Sequence, residues 1–291
     1  MQHAISLTKC EDMIRDGSTT FYKAFSFLPS PRKEAVYVIY AFCRMIDDSV
    51  DEPHKASYSI DELEGHLDQL DRAEGHFIWP ALRWLFSRFP NLTKEPFYKQ
   101  MQGQRRDFVM THYNTMEELE NYCYLVAGTV GEMLLPVLHE SPDASITESG
   151  IYLGKAMQIV NIVRDVGEDQ ARGRRYIPLK MMQKYGYTEK EFADGVINKP
   201  FKDLIHELDS LARYWFELGL RGLDSYPSSS GFSVELAARF YAAILDAVKH
   251  NQYRIYTERA YVSNLQKAAI LTSVARRFGI SVFNKESSAV S

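Results

Sequence analysis

The stretch CRMIDDSVDE, residues 43–52, sets Asp47, Asp48, Asp51 and Glu52 directly behind the apolar run AVYVIYAFC of residues 35–43. Each residue of a helix advances about 100°, so Tyr40, Arg44, Asp47 and Asp51 fall within an arc of roughly 60° and share one face. Asp47 and Asp51 are one turn apart, where like charges oppose helix formation unless a cation sits between them. A second polar stripe lies in AMQIVNIVRDVGED, residues 156–169. There Gln158, Asn161, Asp165 and Asp169 fall within roughly 80° by the same arithmetic, with Ile159, Val160, Ile162 and Val163 beside them to bind the helix into a core. Two distant segments therefore each end a polar stripe in Asp-x-x-x-Asp. Carboxylates and an amide carbonyl are hard oxygen ligands. They suit Mg²⁺ held by a few side chains, with waters and phosphate oxygens completing the octahedron.

Either stripe alone could be the solvated face of an amphipathic helix. Two in matching register, each carrying further polar groups, favour a cation site. An EF-hand does not fit, because the loop positions that require glycine and glutamate hold Glu52 and Tyr58 in the first cluster, and Gln170 and Tyr176 in the second. Arg44 and Arg164 flank the stripes, and RGRR follows at 172–175. Metal and guanidinium together neutralise a multiply charged leaving group, which points to diphosphate; RGRR by itself could equally be a solubilising surface. GSTTF at 17–21 places hydroxyls and backbone N–H groups before a helical pattern, as an anion-binding N-terminus would. For Ser18 an ordinary N-cap is an equal explanation.

The elements that must carry these groups are helical. Apolar residues recur at helical spacing nearly throughout, and strict two-residue alternation is hard to find, so an all-α chain is expected. Eleven prolines separate most of the patterns. The spacing predicts helices over 32–51, 60–74, 78–88, 94–110, 116–138 with a kink at Pro136, 146–170, 201–223, 232–258 and 262–278. SYPSSSG at 225–231 reads as a loop, and KESSAVS at the C-terminus as a frayed tail. The 291 residues are 45% apolar, enough for a sizeable core. With neither a repeat nor a long linker, residues 1–291 read as a single domain with a disordered tail from about 284. A net charge of −4 lacks the basic excess that nucleic acid would need as a partner. Cys10, Cys43 and Cys123 are odd in number and in no metal-binding pattern, which fits a reducing compartment and no zinc. The N-terminus reaches acidic residues before any apolar stretch, unlike a secretory signal, and no apolar run is long enough to cross a bilayer. A soluble, cytoplasmic protein is expected.

Four blocks, YAFCRMIDDSVD, YCYLVAGTVGEMLLP, QIVNIVRDVGEDQARGRRYIP and ELAARFYAAILD, occur in an order that resembles the squalene and phytoene synthases, and among them the bacterial dehydrosqualene synthases. The resemblance runs from about residue 17 to residue 260. It implies the class I isoprenoid synthase fold, one helical bundle around a central hydrophobic cavity, with the two Asp-rich helices facing each other at its mouth. It implies that Asp47, Asp51, Asn161, Asp165 and Asp169 bind two or three Mg²⁺ ions bridging diphosphate, the four aspartates being catalytic. Gly17, Ser18, Thr19, Thr20, Tyr40, Arg44, Gln158, Arg164 and Tyr241 match the positions that contact prenyl diphosphate. Phe21, Phe25, Tyr37, Tyr122, Val126, Ala127, Val130 and Leu134 match the hydrocarbon lining, with Phe25 and Tyr37 closing its floor. Gly17 and Thr20 depart from the polar residue and the serine that the resemblance leads one to expect.

The implied reaction joins two farnesyl diphosphates head to head, through presqualene diphosphate, to dehydrosqualene, with no NADPH. Phytoene synthesis from geranylgeranyl diphosphate and squalene synthesis are the neighbouring alternatives; the latter needs a reductant and commonly a membrane anchor. DDSVD also spells the motif of chain-elongating prenyltransferases, but the second site, DVGED after Asn161, does not repeat it. Terpene cyclases usually carry Ser and Glu where this chain has Asp165 and Asp169. From another class, a non-catalytic lipid-binding module would be expected to lose metal ligands that this chain keeps. Ala127, Gly128 and Gly131 either make room for a prenyl chain or let helices pack closely. Any membrane contact is expected to be peripheral and transient, and the oligomeric state is left open.

Overall fold

The computed structural model describes residues 2–280, so the tail expected to fray lies outside the described residues. Fifteen α-helices follow in order: α1 (Gln2–Gly17), α2 (Thr19–Phe25), α3 (Arg32–Asp51), α4 (Ile60–Asp68), α5 (Ile78–Arg88), α6 (Glu95–Arg106), α7 (Met116–Cys123), α8 (Thr129–Leu138), α9 (Ala144–Arg164), α10 (Val166–Ala171), α11 (Leu179–Tyr185), α12 (Glu189–Ala193), α13 (Lys199–Gly219), α14 (Ser228–His250) and α15 (Asn264–Arg277). Among the described residues there is no strand, only an isolated bridge between His112 and Arg175, and no helix is long and apolar enough to cross a membrane.

Local chemistry sets many of the ends. Ser59 with Glu62, Thr115 with Glu118, Thr188 with Glu191 and Ser263 with Gln266 form reciprocal capping boxes, and Asp143 and Asn198 cap α9 and α13. Where the spacing misleads, backbone geometry explains it. The pattern over 60–74 ends at Asp68, and Leu70–Arg72 forms a separate 3-10 turn. That over 94–110 stops at Arg106, because the chain must turn to bring Thr111 and Tyr113 against the backbone of Arg175. The expected loop at 225–231 is shorter: Pro227 starts α14, so Ser228–Gly231 is its first turn. At the other end α14 stops at His250, since Gln252 and Tyr253 take left-handed φ values of 54° and 62°.

Two irregularities shape the site. The segment 116–138 is interrupted at a π-helical turn, Tyr124–Gly128, while Pro136 stays inside α8. The expected helix over 146–170 breaks at Asp165 into α9 and α10. There the N–H of Gly167 leaves the helical ladder and donates to the carbonyl of Ile255 at 3.2 Å. A Cβ on Gly167 would collide with the carbonyl of Tyr256. Helix α9 packs on α13, α8 and α14, and α3 on α1, α8, α5 and α6. Between them α8 and α9 meet backbone to backbone, since a Cβ on Gly131 would strike the Gly150 carbonyl and one on Gly154 the Ala127 carbonyl. Close packing is therefore what Gly131 and its neighbours provide.

Gly154→Ala should lower stability by about 3 kcal/mol, the upper end of the overpacking range, because only main chain stands in the way. Gly65→Ala, with nothing within 4 Å of the added carbon, should raise it by roughly 0.5–1 kcal/mol. Urea unfolding of both variants checks the pair; equal effects would contradict the packing described.

Candidate active site

Helices α2, α3, α8, α9 and α14 surround an elongated apolar cavity whose mouth opens into a polar one. Asp47, Val126, Gln158 and Asn161 line both and form the boundary. Asp51, Asp165 and Asp169 line the polar part with Asp107, so the two Asp-rich segments converge on one hollow. Below the boundary, the rings of Phe21, Tyr40 and Tyr241 meet at centroid distances of 6.2 and 6.4 Å from Phe21. Phe25, Ala127, Val130 and Leu134 continue the apolar wall downward.

Basic groups hold the carboxylates. Asp51 accepts from Arg174 at 2.6 Å and Arg172 at 3.1 Å. Asp165 accepts from Arg164 Nε at 2.8 Å and pairs with Arg259 Nε at 3.1 Å. Arg44 pairs at 2.7 Å with Asp48, and Asp47 instead accepts from the Gln104 amide at 2.5 Å. Burial pushes the Asp47 carboxyl up to about 8, Arg44 opposing the rise. Burial and then Asp165 push Asp169 up to about 7. Asp107 is raised to about 6 by burial, although its Oδ2 accepts from Tyr122 at 2.9 Å and Tyr176 at 3.0 Å; its Oδ1 is buried without a partner.

This site holds more anionic oxygen than its surroundings neutralise, and its donors are carboxylates and amides. That set suits a hard divalent cation such as Mg²⁺, with Asp47, Asp51, Asn161, Asp165 and Asp169 as the groups that would hold it. Among the described residues no three acidic, histidine or cysteine side chains form a ready-made cage; arginines occupy the oxygens of Asp51 and Asp165.

The remaining expected residues divide. Arg44, Gln158 and Arg164 line the polar cavity. Gly17 ends α1 against the hydroxyl of Tyr40, and Ser18 caps α2 by accepting from the N–H of Phe21 at 3.2 Å. Gly17, Ser18, Thr19 and Thr20 do not line either cavity, so the capping explanation of Ser18 is the one seen. Tyr37, expected on the cavity floor, points away from it and packs its ring on Tyr22 at 5.7 Å. Tyr122, expected in the hydrocarbon lining, belongs to the polar compartment, where Asp107 draws its hydroxyl.

The sequence profile of the squalene/phytoene synthase family matches residues 14–266. The chain belongs to the squalene/phytoene synthase family. Its similarity to a phytoene synthase of Arthrospira platensis is 35% identity over 278 residues, covering 90% of each chain. A 15-cis-phytoene synthase of Synechocystis sp. is likewise 35% identical over 280 residues, covering 90% of this chain and 82% of that one. Among solved structures, a dehydrosqualene synthase in complex with ligand superimposes with a TM-score of 0.89 at 32% identity, covering 95% of this chain and 98% of that one. A squalene synthase from Alicyclobacillus acidocaldarius superimposes at 0.76 with 26% identity, covering 85% and 94%. The all-α class I isoprenoid synthase fold follows from these likenesses.

Several groups in this family member's site were not anticipated: Gln104, Asp107, Arg259, Tyr176 and Gln100. Three of them were within reach of the same arithmetic, since Gln100, Gln104 and Asp107 share one face of the α6 segment at i, i+4 and i+7. Arg259 carried no local signal.

The raised carboxyl of Asp107 has a testable sign. Its folded value near 6 lies above the ordinary 3.8, so the folded chain holds this proton more tightly than the unfolded one. Ionising it costs stability progressively as pH rises from about 4 to about 6, and the cost is constant above. Asp107→Asn should therefore gain on the native protein across that window, by about 3 kcal/mol at the plateau. Melting temperatures from pH 4 to 8 in chelator-containing buffer check this; a pH-independent difference would count against it.

Proposed function

We propose that the protein joins two farnesyl diphosphates head to head, through presqualene diphosphate, to dehydrosqualene, with release of diphosphate. What supports the reading is the juxtaposition of a carboxylate-and-arginine compartment with an apolar one that carries aromatic rings just below their shared boundary. The aspartates would hold Mg²⁺, which neutralises a departing diphosphate when bound. The guanidiniums now paired with Asp51 and Asp165 stand where that anion would lie, so each can exchange a carboxylate for diphosphate without losing its counter-charge. The faces of Phe21, Tyr40 and Tyr241 would lower the energy of an allylic cation formed beneath. Apolar walls keep out water, which would trap that cation as an alcohol.

Chain length is read from depth. Asp47 to Val36 on α3, and Asn161 to Gly150 on α9, each span about 16 Å of helix rise, and all four residues line the cavity. That depth accommodates an extended chain of three isoprene units. Phe25, Leu138 and Tyr226 fill the deep end. The competing reading, geranylgeranyl diphosphate to phytoene, is favoured by the names of the 35%-identical relatives.

Incubation of the purified protein with Mg²⁺ and each labelled prenyl diphosphate, with and without NADPH, should yield dehydrosqualene from the C15 substrate and need no reductant. Chelation, Asp47→Asn and Asp165→Asn should each lower turnover at least a thousandfold with the fold intact by circular dichroism. No hydrocarbon from either substrate would overturn the proposal. Phe25→Ala should raise the ratio of C20 to C15 product at least tenfold, whereas Tyr37→Ala, away from the cavity, should destabilise the protein without moving that ratio.

A further inference from the structure

A ring at the deep end of the apolar cavity is itself propped from behind. Tyr226 lines the cavity, and the ring of His139 meets it edge to face, with centroids 4.8 Å apart and planes at 87°. His139 does not line the cavity. It lines a second hollow, between segments 29–32 and 88–91 and the end of α8, which Tyr226 does not reach. Leu138, one residue earlier, still faces the cavity. The two rings therefore stand in the partition between the hollows, one on each side.

The prop is tethered at both ring nitrogens. The Ser225 hydroxyl donates to the Gly222 carbonyl at 2.7 Å and so accepts from His139 Nε2 at 3.0 Å. His139 Nδ1 accepts from the Ser141 N–H at 3.1 Å. One neutral tautomer, with its proton on Nε2, satisfies both bonds. Tyr226 is constrained from the other direction: it precedes Pro227, which restricts it to extended backbone, and its φ and ψ are −76° and 150°.

We propose that His139 is a positioning residue for substrate length, holding the Tyr226 ring as the stop against which the far end of a prenyl chain comes to rest. The inference rests on the head-to-head reading above and deepens it by naming what limits the chain. A longer chain would have to push Tyr226 toward the second hollow, and His139 stands in that path. Edge-to-face contact is favoured at this ring separation, and close-packed groups pass displacement on to their neighbours instead of absorbing it. His139 acts on the substrate only through Tyr226.

The test compares the native protein with His139→Ala, His139→Gln and His139→Phe, using farnesyl and geranylgeranyl diphosphate, each with Mg²⁺. The C20-to-C15 ratio of kcat/KM should rise at least fivefold in the alanine and glutamine variants, which lack a ring. His139→Phe restores a ring without the hydrogen bonds, so it should melt below the native protein yet keep the native ratio within twofold. Thiolodiphosphate analogues of the two chain lengths should show the same pattern in relative affinity, without turnover. Tyr37→Ala, the control for destabilisation alone, should leave the ratio unmoved. A native ratio in His139→Gln, or a ratio raised as far in His139→Phe as in His139→Gln, would overturn the assignment even if His139→Ala does not fold. If the native protein turns over neither substrate, the head-to-head reading itself falls, while the analogue affinities still decide the role of His139.

Discussion

Like charges gathered at the end of an apolar cavity are the constraint around which this molecule is organised. Asp47, Asp51, Asp165 and Asp169 repel one another, and burial together with neighbouring carboxylates pushes Asp47 and Asp169 well above the usual carboxylate range. The chain tolerates the arrangement by bringing guanidiniums from separate places: Arg164 from α9, Arg172 and Arg174 from the stretch after α10, and Arg259 from the stretch after α14. Each of these segments must be positioned by its own packing, so much of the tertiary structure serves the neutralisation of one small volume. The break at Asp165 belongs to the same economy of charge. It ends α9 where Ile255 and Tyr256 press on Gly167, and this brings Arg259 onto the carboxylate.

The boundary between the two compartments separates a charged lining from an apolar one, the change that the proposed prenyl diphosphate would match. Asp47, Gln158 and Asn161 mark that level on α3 and α9. The polar half can be much the same for any substrate of the class, since diphosphate is common to all. On the proposed reading, discrimination among chain lengths would reside in the deep half, where Phe25, Leu138 and Tyr226 stand.

The acidic stripes were legible in the sequence because spacing fixes which side chains share a helix face, and α3 runs over the very residues its pattern marks out. The same rule places Gln100, Gln104 and Asp107 together, yet amides draw less notice than carboxylates, and that stripe passed unread. Tyr37 and Tyr122 were assigned to the wrong surroundings because an aromatic residue suits a cavity wall, a core and a hydrogen-bonded network equally well; only the neighbours, Tyr22 for one and Asp107 for the other, decide. The contacts of Gly167 with Ile255 and of Arg259 with Asp165 join residues nearly a hundred positions apart. No local pattern encodes them. Helix ends were legible where a capping box spelled them out and illegible at Asp165 and the π-helical turn, where packing overrides propensity.

Along α8 and α9 two points on the side of the hollow are fixed by backbone contact, because Gly131 and Gly154 leave no room for a side chain, while Val130, Leu134, Leu153 and Met157 supply the wall around them. Mutation works on side chains, so the two glycine positions are closed to gradual adjustment, and any change in the hollow's size must act through the side chains around them. Immovable points set among adaptable side chains give such a scaffold a fixed datum for the spacing of its walls.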